Sequence, residues 1–297
     1  MRGESLVYVY TVATLVGIYC ILTLSLNTIT GIAGQISLGH AAFLGIGAYT
    51  AAILTVSHGW DFWSALLAAV VAAGGAGALV GAAAIRVRED FLAITTMGVN
   101  FVVVSVFLYF PLFGGAFGIG GIPPATWLGT PLGKPGFFLL VLGGVGLALG
   151  VNAWLLRSWA GLALLATRED EDAARAAAVD VRKFKIVAFT IGTALAGLAG
   201  SFYAHYLSFI SAGDFGFPFS ITILCMLVLG GIGSNAGAIV GAALLGILPE
   251  LFRPLADYRM LTYGALLLLL MRWAPHGLLG DRALLRWRPL RARRQGA

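Results

Sequence analysis

The sequence predicts an all-α fold, a polytopic transmembrane bundle of about eight to ten membrane segments. Three observations carry that reading. The 297 residues are 59% apolar, with a mean hydropathy of +0.92. Only 11% are charged, less than half of the roughly 25% of a soluble domain. The apolar residues fall in long uncharged runs, and the basic residues fall mainly between alternate runs. A water-facing surface cannot be built from this composition, which excludes a soluble enzyme, a nucleic-acid module and a disordered scaffold.

Taken in order, the runs are 6–26, 38–56, 62–85, 91–112, 137–156, 184–206, 219–232, 236–251 and 258–273. Run length favours helices, because a barrel would show alternating segments of about ten residues. The first run is too long for a signal-peptide core and lacks a small-x-small cleavage pattern, so it reads as a retained anchor. The stretches 219–232 and 236–251 are short for a bilayer about 30 Å thick. They read as two tilted helices or as a broken pair. Small residues at every fourth position, Gly192, Ala196, Gly200 and Ala204, then Gly233, Gly237 and Gly241, are expected to be close-packing seams.

Lysine and arginine set the orientation. Two lie in 86–90, six in 157–185 and seven from Arg272 onward, against Arg2, Lys134, Arg253 and Arg259 on the other side. The net charge of +6 is thus a topology signal, and the C-terminus is expected in the cytoplasm. Nine crossings put the N-terminus outside, and a re-entrant 31–58 or a single crossing for 219–251 would reverse that. Residues 1–285 read as one transmembrane domain, with 286–297 a basic cytoplasmic tail. The external stretch 113–136 has four prolines and eight glycines and reads as a rigid irregular loop. The cytoplasmic stretch 157–185 is rich in helix formers. Arg168 with Asp172, and Glu171 with Arg175, are expected to pair at i,i+4, with Ala173, Ala174, Ala177 and Ala178 forming a smooth opposite face.

Chemistry is sparse. Ser37 and His40 are too close in sequence to be taken as a dyad, and the spacing is not G-x-S-x-G. The histidines and cysteines show no metal-ligand spacing. Gly129 to Pro135 mimics a phosphate loop but is one residue short and has Pro135 where Ser or Thr is required. All thirteen acidic residues lie in loops or at span edges, which counts against ion coupling. The uncharged polar residues that stand out within spans are the pathway candidates Asn27, Gln35, Ser37, His40, Thr95, Thr96 and Asn100, with His205 beside them. Each is either an interhelical hydrogen-bonding group or part of a pathway lining. The second reading is strongest in 27–40, where Gly31, Gly34 and Gly39 interrupt the run, because broken helices present backbone dipoles to a substrate.

Several segments together resemble one family. They are Thr30-Gly31-Ile32-Ala33-Gly34-Gln35-Ile36-Ser37-Leu38-Gly39-His40-Ala41-Ala42-Phe43, Arg168-Glu169-Asp170-Glu171-Asp172-Ala173-Ala174, 189–200, Leu229-Gly230-Gly231-Ile232-Gly233-Ser234 and Pro275-His276-Gly277-Leu278. The resemblance, over about residues 20–280, is to the LivM-like permease subunits of branched-chain amino-acid ABC importers. It implies an inner-membrane subunit that pairs with a homologous permease, two cytoplasmic ATPases and an external substrate-binding protein. The implied substrates are leucine, isoleucine and valine, with urea and short amides as the alternative that shares the pattern. An ion-coupled secondary transporter is the more distant alternative. ATP would be used by the partners, and this chain is expected to bind no cofactor, metal or nucleic acid. The resemblance also makes 157–185 the ATPase-coupling loop, with Arg168, Glu169, Asp170, Asp172, Ala173, Ala174 and Ala178 as its candidate residues. Importers of this type carry Glu-Ala-Ala followed four residues later by Gly. Here the positions hold Asp172-Ala173-Ala174 and Ala178, and His276 stands where Arg is frequent.

Overall fold

The computed structural model describes residues 2–84, 89–127 and 129–251, together with 264, 272 and 277–279. Helix α1 (Arg2–Leu26) runs on into a π-helical turn at Asn27–Ile32. After an irregular segment come α2 (His40–His58), α3 (Phe62–Ala84), α4 (Glu89–Tyr109) and α5 (Lys134–Arg157). Two short helices, α6 (Trp159–Glu169) and α7 (Glu171–Ala176), lead to α8 (Val181–Leu207), α9 (Phe217–Gly230) and α10 (Asn235–Leu251). Six of these, α1 with its π turn, α2, α3, α4, α5 and α8, are long and apolar enough to cross a membrane. The expected run 258–273 lies outside the described residues apart from 264 and 272.

Helix α8 sits at the centre and packs on α1, α2 and α3. Its small-residue seam makes this possible. A Cβ on Gly200 would strike the backbone of Leu44 and Ala48, and one on Gly197 would meet Ala69 at 2.6 Å. Such approaches suit a bilayer, where helices gain little from hydrophobic burial and associate through close packing. The second seam holds α9 to α10. Gly241 lies against Met226, and Gly237 against Gly230, so the short pair forms an antiparallel hairpin around 231–234. The outer faces carry exposed Leu67, Val71, Leu79, Ile94 and Leu139, an apolar surface too large for a water-soluble protein.

The two ends of the bundle are distinct. At one, Lys134 Nζ donates to Thr11 Oγ1 at 3.3 Å and Tyr206 Oη donates to the Thr11 carbonyl at 3.3 Å. This puts the beginnings of α1 and α5 beside the end of α8. The glycine- and proline-rich loop covers this end with short strands. β1 (Ile119–Gly120) pairs with β4 (Phe209–Ile210), and β2 (Thr126–Trp127) with β3 (Thr130–Pro131). Gly118, at φ 68°, has no room for a side chain against the Ile210 carbonyl. The opposite end carries α6, α7 and the start of α8. There Ile32 and Ala33 pack with Leu155, Leu164 and Phe184. Helix α1 therefore starts at the end away from α6 and α7, and 40–58 is a full helix rather than a re-entrant loop.

Candidate functional site

The break after α1 follows from its sequence. Thr28 and Thr30 are β-branched and Gly31 is a weak helix former. The Thr28 hydroxyl bonds back to the Leu24 carbonyl at 3.1 Å, a contact that bends helices. The helix widens into its π turn and stops at Ala33, a form frequent at functional sites. Gly34 then takes φ 74°, which an L side chain rarely adopts. Close approach requires the other glycines. A Cβ on Gly31 would lie 2.7 Å from the Gly233 nitrogen, and one on Gly39 would strike the Thr96 carbonyl.

The irregular segment 33–39 buries Ala33, Gln35, Ser37 and Gly39, leaves Gly34 and Ile36 exposed, and is held from several sides. Leu38 N–H donates to Thr96 Oγ1 at 3.0 Å on α4. Ala41 N–H, in the first turn of α2, donates to Ser220 Oγ at 2.9 Å on α9. Asn100, one turn above Thr96, donates from Nδ2 to the Phe215 carbonyl at 3.1 Å. Ser25 Oγ lies 2.5 Å from His40 Nε2.

Hydrogen bonding divides the seven polar candidates into two groups. Asn27 is satisfied, donating to Asn235 Oδ1 at 3.0 Å and accepting from Gly233 N–H at 2.8 Å. Thr96 is satisfied too, and Thr95 Oγ1 only bonds back to the Phe91 carbonyl at 2.9 Å. The others differ. Gln35 Nε2 and Oε1, Ser37 Oγ, His40 Nδ1 and Asn100 Oδ1 are buried with no hydrogen-bond partner among the described residues. Leaving a buried polar atom unmet costs about 1–3 kcal/mol, whereas an interhelical hydrogen bond in a membrane contributes about 0.6 kcal/mol. A packing role explains Asn27 and Thr96. It does not explain Gln35 or Ser37, whose side chains have no hydrogen-bond partner among the described residues.

Sequence reasoning missed Asn152. It is fully buried on α5, donates to the Leu24 carbonyl at 3.0 Å and to Asn235 Oδ1 at 3.3 Å, and accepts from Thr28 Oγ1 at 2.6 Å. A lone amide in an apolar run was the available signal. With Asn27 and Asn235 it ties α1, α5 and the α9–α10 turn together at the start of the π turn. Ser25 and Ser220 were masked because serine is unremarkable in such helices.

The loop between α5 and α8 corrects two expectations. Arg168 and Asp172 do not pair, because the helix breaks between them. Asp170 is extended (φ −159°, ψ 114°) and its carboxylate accepts from Asp172 N–H and Ala173 N–H, capping α7. Arg168 instead donates from Nη1 to the Gly31 carbonyl. Nor is Ala174 on a free surface: it is buried within the chain, while Ala173, Ala177 and Ala178 are exposed. Glu169 is exposed as well. The expected Glu171–Arg175 pair is present at 2.8 Å, and Arg175 also reaches Asp172 at 2.8 Å. Glu171 further pairs with Lys185 at the start of α8. Ala178 has φ 60°, the left-handed geometry for which glycine is the usual residue.

Fold and site together define a multi-pass membrane permease, with a polar break inside an apolar bundle and a structured helical loop at one end. The family described as branched-chain amino acid transport system / permease component matches residues 8–271, and the chain belongs to it. It is 38% identical to the high-affinity branched-chain amino acid transport system permease protein LivM of Escherichia coli, over 90% of this chain and 69% of that one. The probable branched-chain amino acid transport permease protein LivM of Methanocaldococcus jannaschii is 26% identical over 91% of this chain and 92% of its own. LivH of Escherichia coli, also a high-affinity branched-chain amino acid transport system permease protein, is 31% identical over 44% of this chain and 43% of its own. No solved structure matches the chain significantly.

Proposed function

We propose that the chain is the membrane-spanning permease subunit of an ATP-driven ABC importer that carries leucine, isoleucine and valine across the inner membrane. Its partners in this reading are a homologous second permease, two cytoplasmic ATPases and an external binding protein. ATP is hydrolysed on the partners, and this chain binds no cofactor. The observation that carries the reading is the set of buried unmet polar atoms on Gln35, Ser37, His40 and Asn100, in a chain of the branched-chain permease family. An amide and a hydroxyl offer both donors and acceptors, as a zwitterion's carboxylate and ammonium require. Apolar helices around them suit a branched aliphatic side chain. The α6–α7 end carries the basic residues of 157–185, which supports a cytoplasmic placement and contact with the ATPases there.

The test is uptake into proteoliposomes holding the assembled transporter and its binding protein, comparing leucine, isoleucine and valine with urea and acetamide. ATP-dependent uptake of the three amino acids is expected, and excess leucine should abolish it. Urea uptake that leucine does not compete with would replace the substrate assignment. Uptake by this chain without an ATPase would overturn the importer reading itself.

A further inference from the structure

We propose that Arg168 is a positioning residue that ties the α6–α7 segment to the broken end of α1, delivering movement of α7 to the residues around the polar break. The inference rests on the reading of α7 as the ATPase-docking element.

Its geometry is direct. The guanidinium donates to the carbonyl of Gly31, in the last turn before the helix ends. Carbonyls at a helix C-terminus lack partners within the helix, and a basic side chain there both caps them and complements the negative end of the dipole. The stem matters as much as the head. A Cβ on Gly34 would lie 2.9 Å from Arg168 Cγ and 3.3 Å from its Cα. Arg168 thus lies across the turn from Gly31 to Gly34, and Gln35 follows at once.

Three helices hold the stretch from Gly31 to Ala41. Thr96 on α4 holds Leu38, Ser220 on α9 holds Ala41, and Arg168 on α6 holds Gly31. The α4 and α9 ties come from within the bundle. Arg168 comes from the helical loop, two residues before the Asp170 break. Helix α7 is also fastened to α8 through Glu171 and Lys185, so a displacement of α7 reaches the bundle by two routes. The Arg168 route ends on the π turn and the segment carrying Gln35 and Ser37. A strained or irregular turn of this kind is suited to switching between discrete arrangements.

A static cap and a coupling strut make different predictions. In the assembled transporter, Arg168→Met keeps the stem over Gly34 and removes the bond. The strut predicts that ATPase subunits still co-purify while leucine moved per ATP hydrolysed falls roughly ten-fold, the size expected for losing a charge-assisted hydrogen bond. Arg168→Lys, which keeps charge and a donor, should recover part of that ratio. A second measurement needs no ATPase: hydrogen exchange of the purified chain should be roughly ten-fold faster over 33–39 in Arg168→Met and unchanged over 231–234. An unchanged ratio, whether or not the yield of assembled transporter falls, means a static cap and overturns the proposal. Wild-type exchange over 33–39 overturns it as well. Failure of the docking reading is seen separately, as ATPase binding that survives the Ala173→Glu substitution discussed below.

Discussion

At the scale of single residues, hydrogen-bond satisfaction divides the buried polar side chains into those tied into the bundle and those with atoms unmet among the described residues. Asn152 and Gln35 are the sharpest contrast, since both are buried amides. Asn152 bonds to α1 and to Asn235, and its loss removes three buried hydrogen bonds, leaving Thr28 Oγ1 and the Leu24 carbonyl only their bond to each other. Asn152→Leu should therefore destabilise the protein by about 1–3 kcal/mol, read as a lower unfolding midpoint in detergent. Gln35 has no side-chain partner among the described residues, so Gln35→Leu removes an unmet group. Its midpoint should stay level or rise, by up to about 1 kcal/mol, while leucine uptake falls several-fold. If Gln35→Leu lowered stability and left uptake unchanged, the amide would belong to the packing and not to the pathway. Both amides stand out equally in the sequence as polar breaks in apolar runs. Only the folded structure tells them apart, because the partners of Asn152 lie 83 to 128 residues away.

At the scale of elements, the sequence was most legible where periodicity and length decide, and least where one side chain redirects another. The runs and seams are visible because membrane helices need about twenty apolar residues and close packing needs small ones. The described spans follow the expected runs within a few residues, and the short 219–232 and 236–251 stretches are a hairpin rather than one crossing. The loop 157–185 is helical as its composition requires, but the cap by Asp170 was hidden within a run of four acidic residues. That cap starts a new helix, turns Ala174 inward, and frees Arg168 for Gly31. The docking test must follow this geometry. Ala174→Glu would bury a charge within the chain itself, at a cost of several kcal/mol, and would report on folding. Ala173 is exposed and lies in the first turn of α7, where a carboxylate is welcome to the helix dipole. Ala173→Glu should leave the fold and its unfolding midpoint unchanged, yet abolish co-purification of the ATPase subunits and ATP-driven uptake. Wild-type co-purification and uptake would show that α7 is not the docking element.

At the scale of the whole molecule, the contacts fix which features share an end, and the proposed orientation, with the basic end in the cytoplasm, rests on the charges. Helices α5 and α8 each join the strand-bearing loop at one end to α6 and α7 at the other, so those two features lie on opposite sides of any membrane the bundle spans. Fifteen of the nineteen basic residues fall in 86–90, in 157–185 or from Arg272 onward. An arginine carried across a bilayer is disfavoured during insertion, and this bias orients polytopic proteins. With α6 and α7 inside, the beginning of α1 beside Lys134 and Tyr206 must be outside. The loop at 59–61 shares that outer side, since Trp63 stacks edge-on against Trp127 with ring centroids 5.3 Å apart. Cysteine labelling reads this out cleanly, because Cys20 and Cys225 are both buried. Phe117→Cys and Trp60→Cys replace exposed side chains at the outer end, and Asp172→Cys replaces one on α7. In intact cells with a permeable outer layer, a membrane-impermeant maleimide should label the first two and spare the third until the inner membrane is opened. Labelling of Asp172→Cys in sealed cells, with Phe117→Cys protected, would invert the orientation. It would also place α7 where no ATP is available, which removes the importer mechanism while leaving the fold untouched.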